Sequence, residues 1–167
     1  MNPAILESFI RNDSELSPHK EYLESLIKPS VGISFSNDEA KAHESRFGGA
    51  PMVPENFEWP THEIGEYRFL GQINFSEINE GVNALPSSGI LSLFYAYDED
   101  DEIFWADEGY VLGYFYPNIN DLALYPQAPI VHKAKKILLS RGIEIPRHED
   151  LRKDCLLIQM RFMALQV

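Results

Sequence analysis

Ser45-Arg46-Phe47-Gly48-Gly49-Ala50-Pro51, followed by Trp59-Pro60 and then Phe69-Leu70-Gly71-Gln72-Ile73-Asn74, reads as a glycine-proline loop feeding a buried strand. Glycines supply the positive φ angles of a sharp turn, and Pro51 and Pro54 stiffen the chain beyond it. Arg46 then pairs with a local acid, and Gly71 lets a neighbouring backbone approach the strand closely. The same residues allow a second reading, an anion-receiving nest in which the Gly48-Gly49 amides and the Arg46 guanidinium converge on a carboxylate or phosphate, with Gln72 nearby. From Tyr67 onward the alternation puts Tyr67, Phe69, Gly71, Ile73 and Phe75 on one face of the strand and Arg68, Leu70, Gln72 and Asn74 on the other.

Working outward, Asn2 and Pro3 open a first helix with Ile5, Leu6, Phe9 and Ile10 on one side. Ser17-Pro18 opens a second, striped by Tyr22, Leu23, Leu26 and Ile27 and ended by Pro29, so residues 3 to 28 form two short amphipathic helices that pack onto the sheet. Val31, Ile33 and Phe35 alternate as a strand. Ile90-Leu91-Ser92-Leu93-Phe94-Tyr95-Ala96-Tyr97 is apolar on both faces, as expected of a strand in the middle of the sheet with cover on both sides. Tyr110 to Tyr116 supplies another strand, closed by Pro117-Asn118. Ile130 to Ser140 fits helix and strand equally, and Gly142 and Pro146 end it. This pattern reads as two N-terminal helices followed by the strands of a sheet.

A chain of 167 residues is long enough for a single domain with a substantial core. Its organisation reads as a helical segment over 1–29, a sheet region over 30–154 and an apolar tail over 155–167. The net charge of -12, from 26 acidic and 14 basic residues, argues against nucleic acid and anionic lipid as partners. No apolar run is long enough to span a bilayer and the N-terminus has no signal-peptide pattern, so the cytoplasm is the expected compartment. The single cysteine, Cys155, fits a reducing compartment and excludes an internal disulfide.

Catalytic signatures are missing. His43-Glu44, His62-Glu63 and His148-Glu149 lack the second histidine of a helical zinc-protease motif, the positions holding Phe47, Glu66 and Arg152. Neither a phosphate loop, a dinucleotide turn nor a nucleophile elbow is present. The sequence therefore assigns no catalytic residue and no cofactor. Its dense charge cluster is Asp98-Glu99-Asp100-Asp101-Glu102, followed by Trp105, just after the Ile90–Tyr97 strand. Such a run reads as a solvated hairpin tip, as a partner-facing acidic edge anchored by the tryptophan, or as a cation-binding loop, although Ile103 and Gly109 stand where an EF-hand needs glycine and a carboxylate.

Arg46-Phe47-Gly48-Gly49-Ala50-Pro51, Phe69-Leu70-Gly71-Gln72-Ile73-Asn74-Phe75 and Gly89-Ile90-Leu91-Ser92-Leu93-Phe94-Tyr95 with the acidic run after it resemble the YwqG-like family, bacterial proteins defined as a domain of unknown function. The likeness covers roughly residues 30 to 154, continuing through the Tyr110 strand and Pro146-Arg147-His148-Glu149-Asp150. The resemblance implies an α+β fold class, two N-terminal helices followed by a strongly coiled, mainly antiparallel sheet built from related halves. Some relatives look as if they are encoded near bacterial toxin genes, which implies immunity or binding roles. No catalytic residues are agreed for that family. Its members are usually longer, and the second half of the pattern is not found here; the sequence after Asp154 departs from it. A sheet face left bare in this way leads to association, as a homodimer or with a partner.

The resulting expectation is a non-enzymatic module that binds another protein, such as a basic toxin, through Asp98, Glu99, Asp100, Asp101, Glu102 and Trp105, with Arg46, Gly48, Gly49 and Gln72 as a second candidate group. The competing expectations are a small metal-dependent hydrolase that uses the acidic run with His62 or His148, and a truncated relative without independent activity.

Overall fold

The structure, a computed structural model, describes residues 3–63, 65–78, 85–98, 100, 102–104, 107–129 and 132–145. In chain order the elements are helix α1 (Pro3–Asn12), a 3-10 turn (Ser17–His19), helix α2 (Lys20–Ser25), and strands β1 (Lys28–Phe35), β2 (Arg46–Phe47), β3 (Met52–Pro54), β4 (Glu66–Asn74), β5 (Ile90–Tyr97), β6 (Val111–Tyr116), β7 (Leu122–Leu124) and β8 (Lys135–Glu144). The α+β class read from the sequence holds, with short helices near the N-terminus and a curled antiparallel sheet. Among the described residues no helix is long and apolar enough to cross a membrane. By its described residues the chain divides into two compact units, 3–32 with 140–145, and Ile33–Leu139.

The first unit closes on Leu6, Ile10, Leu16 and Leu23, with Phe9, Tyr22, Ile27, Ile143 and Ile145 packed against them. Helical spacing foretold Leu6, Ile10 and Leu23. Leu16 lies between helices, where no periodicity marks it, and is buried because the Asp13 carboxylate accepts from the Glu15 and Leu16 amides and folds the linker inward. Ile5, expected on the apolar stripe, is 55% exposed.

In the second unit the strand order is β1, β8, β2, β4, β5, β6, with β1 and β8 entering through residues 33–35 and 135–139; β3 and β7 pair separately. The segment that fitted helix and strand equally resolves as β8, whose Ile137 is fully buried, and the strand runs through Gly142 to Glu144 instead of ending there. Its Ile130 and the closing Pro146 lie outside the described residues.

Two expectations about the sheet need correction. Strand β5 lies between β4 and β6, one place from the sheet's end, and it buries one face, through Ile90, Ser92, Phe94 and Ala96, while Leu91, Leu93, Tyr95 and Tyr97 are half-buried. Cover on one side explains the alternation. Strand β4 does not keep one phase. Its register against β5 shifts between Phe69 and Gly71, so Tyr67 and Phe69 are buried before the bulge and Gln72 and Asn74 after it, while Ile73 passes to the half-buried side. One extra residue in a strand inverts the facing of everything beyond it.

The core of this unit is aromatic. Phe94 is fully buried, stacked on Phe57 at 5.8 Å between ring centres and met edge-on by Trp59, Phe69 and Tyr114 at 5.3, 5.4 and 5.6 Å. The Trp59 indole donates to the Tyr67 carbonyl at 2.9 Å, which satisfies its polar atom inside that cluster.

Gly71 lies opposite Phe47, as the sequence anticipated for a close backbone approach. A Cβ at Gly71 would fall 2.5 Å from the Arg46 carbonyl oxygen and 3.0 Å from the Phe47 Cα, both backbone atoms that cannot swing aside. Gly71→Ala is expected to lower stability by about 2–3 kcal/mol, read as the urea midpoint, by forcing β2 off β4. An unchanged midpoint would show that the two strands tolerate separation.

Candidate functional site

The two groups of residues singled out from sequence form two separate structures. Arg46, Gly48, Gly49 and Gln72 come together in a buried polar network. The Arg46 guanidinium is only 2% exposed and donates to backbone carbonyls: Nη1 to Lys41, Ala42 and Glu44, Nη2 to Ala50. The acid expected to pair with it is replaced by these four carbonyls, all within its own loop. Burial pulls its pKa down to about 10, so the group remains a cation at neutral pH.

Gln72 Nε2 donates to the Ala42 and Glu44 carbonyls at 2.8 and 3.0 Å, and its Oε1 accepts from the Met52 amide at 3.3 Å. Asn74 Nδ2 donates to the His43 carbonyl at 2.9 Å, and the Asn74 amide donates to Ser45 Oγ at 2.8 Å. Gly48 and Gly49 have φ of 69° and 75°, the left-handed region that the turn requires. Their amides donate to Leu70 and His132 carbonyls at 2.9 and 2.8 Å. An anion seated in this loop would have to displace those bonds.

The loop is closed from outside by Glu44. Its carboxylate accepts from the Lys41 amide at 2.8 Å and from Lys136 Nζ at 3.0 Å, with side chains 15% and 21% exposed. The Lys41 amide first, then the Lys136 side chain, hold the Glu44 carboxyl below its ordinary 4.5, and the same contact raises the Lys136 ammonium.

The acidic run forms the second group, in the connection between β5 and β6. Asp98 turns inward: it is 7% exposed, Oδ1 accepts from the Asp100 and Glu102 amides at 3.0 and 2.9 Å, and Oδ2 accepts from Ile103 at 3.1 Å. An ionised acceptor with three amide donors is among the stronger arrangements a loop can use. Further on, Asp107 Oδ2 accepts from the Phe104 amide at 2.7 Å, and the Tyr67 hydroxyl donates to the Gly109 carbonyl.

Asp100, Glu102, Asp107 and Glu108 are exposed on this braced loop, and none of the four takes part in an ion pair among the described residues. Glu99, Asp101 and Trp105 lie outside the described residues, as do His148 and Cys155. Phe104, which sequence reasoning passed over in favour of its neighbour Trp105, is 61% exposed. Among the described residues no three His, Cys, Asp or Glu side chains gather as a metal site. His62 is half-buried with its ring edge-on to Tyr67, 5.7 Å between centres.

The buried network makes two outcomes testable. Arg46→Met should cost about 2–3 kcal/mol in chemical denaturation because it takes the guanidinium donor from the Ala50 carbonyl and one of two donors from each of the Lys41, Ala42 and Glu44 carbonyls, and Arg46→Lys should recover little because one ammonium lacks the planar fork. Glu44 has a lowered folded-state pKa, so its contribution is present above 4.5 and is lost as pH falls through the lower folded value. Glu44→Gln should therefore be less stable than wild type near neutrality and lose less stability on acidification below 4.5. Parallel pH profiles for the two proteins would refute this.

No curated protein matches the chain. A family model does, over residues 45–152, a span that opens on the buried Arg46 network and takes in β4, β5, the acidic loop, β6 and β8. The chain belongs to the family described as Domain of unknown function (DUF1963).

Proposed function

We propose that the protein is a binding module that captures a basic protein partner through the loop between β5 and β6. The observation that carries this reading is the use of Asp98: one buried carboxylate holds the amides of the acidic run, so Asp100 and Glu102 project from a braced backbone. Pre-ordered charges lose less conformational entropy on binding than charges on a slack loop. The wider charge distribution supports the same reading, since 17 acidic and 6 basic residues lie between Ile33 and Leu139. A field of that sign speeds encounter with a cationic surface and repels anionic ones.

The narrowest form of this proposal is an immunity-type role against a basic toxin in the cytoplasm of a bacterium, in keeping with the YwqG-like resemblance. The metal-dependent hydrolase reading has no three-ligand cluster behind it among the described residues.

The test reverses charge without touching the brace. Asp100→Lys, Glu102→Lys and Glu108→Lys combined should keep the thermal midpoint and weaken capture of a basic protein from the source cell by at least about tenfold, with a flatter salt dependence. Capture of the same proteins with the same salt response by both forms would overturn the reading.

A further inference from the structure

Strand β6 closes one end of the sheet order, and its backbone phase can be read from its pairing with β5. The Ala96 amide donates to the Tyr110 carbonyl, and Ala96 and Tyr110 stand next in line after the Tyr95 and Val111 pair. Hydrogen-bonded and non-hydrogen-bonded pairs alternate along an antiparallel ladder. Leu112, Tyr114 and Tyr116 therefore spend their main-chain groups on β5, and Val111, Gly113 and Phe115 point theirs away from it.

The sequence of this edge is Val111-Leu112-Gly113-Tyr114-Phe115-Tyr116, without a charge or a proline to blunt it. By contrast β1, at the other end of the order, opens on Lys28 and Pro29. Val111 and Phe115 are 51% and 43% exposed. Between them Gly113 leaves a notch, where an added Cβ would meet only Leu91 Cδ1 at 3.4 Å and Leu93 Cδ2 at 3.5 Å, ordinary contact distances.

We infer that the outer edge of β6 receives an extended, basic segment of the partner as an added antiparallel strand. The inference rests on the acidic-loop reading above and specifies its geometry. Main-chain bonds to Val111, Gly113 and Phe115 supply the attachment, and alternate apolar side chains of the segment lie along Val111, the Gly113 notch and Phe115. Charge selects the occupant. The exposed Asp107 and Glu108 sit just before the Val111 end of the strand, so lysine or arginine at the segment's C-terminal end meets them. A second copy of this chain would bring the same acidic excess to the edge, which argues for a cationic partner over self-pairing.

The experiment uses the whole chain and a capped heptapeptide of alternating valine and threonine that ends in two lysines. Amide exchange should slow at Val111, Gly113 and Phe115 and not at Leu112 or Tyr114. Gly113→Pro removes one outward amide without removing a bond to β5, and should weaken binding roughly tenfold, whereas Gly113→Ala keeps the amide, adds a Cβ at ordinary contact distance and should bind within about twofold of the unaltered protein. A peptide N-methylated at alternate residues should lose binding to the unaltered protein, which tests the main-chain bonds even where the proline variant folds poorly.

Equal binding by Gly113→Pro, or by the N-methylated peptide, overturns the added strand and leaves the acidic-loop reading standing. Equal binding after the three loop charges are reversed overturns that reading, and the basic occupant with it. Concentration-dependent dimerisation that Gly113→Pro abolishes overturns the choice of occupant.

Discussion

Burying the Arg46 guanidinium among the carbonyls of its own loop is the constraint on which the second unit depends. Desolvating a cation is expensive, and no carboxylate among the described residues neutralises this one. What offsets the cost is geometry. A planar fork with five donors reaches four backbone carbonyls of the tight turn, supplying the donor for Ala50 and a second one for Lys41, Ala42 and Glu44. Cation and loop therefore specify each other: the carbonyls converge because the fork is there, and the fork tolerates burial because the carbonyls converge. Strand β2 is two residues long, too short to hold itself in a sheet, and it keeps its place between β4 and β8 because the side chain of its first residue is anchored this way.

The bulge in β4 serves the same network. Before it, Tyr67 and Phe69 feed the aromatic cluster around Phe94; after it, Gln72 and Asn74 turn inward and donate to the Ala42, His43 and Glu44 carbonyls. A regular strand would have sent Ile73 inward and removed the side-chain donor from the His43 carbonyl. One strand thus supplies an apolar core at one end and a polar clamp at the other. Glu44 and Lys136 add a pH-sensitive tie across that clamp, strongest where the carboxyl is ionised and the amine protonated.

Asp98 repeats the device at the far end of β5. A single buried acceptor organises a loop from within, and the charges left outside are free for recognition. The two loops nevertheless differ in chemical consequence. Around Arg46 the donors are consumed by the fold, whereas beyond Asp98 the exposed groups are carboxylates with no ion-pair partner among the described residues, next to a strand whose outward main-chain groups face away from the sheet. Displayed negative charge beside an open strand edge is the chemistry of association.

Much of this was legible in the residues themselves. Helical spacing located α1 and α2, alternation located β1 and β4, apolar and aromatic runs bounded by turn residues located β5 and β6, and the glycine pair announced its turn, because each signal is local and lies within one or two turns of chain. The charge balance and the lack of catalytic spacing also belong to the sequence, as does the density of the acidic run. Other features depend on partners distant in the chain. The bulge depends on β5, the choice of strand over helix for β8 on its neighbours β1 and β2, and the inward turn of Gln72 on a loop some thirty residues upstream. Likewise, nothing in the run Asp98 to Glu102 says that its first carboxylate faces inward while others face out. Periodicity reports which side chains share a face; only the packed structure, by leaving or filling the hydrogen-bonding needs of a buried backbone, decides which face is inside.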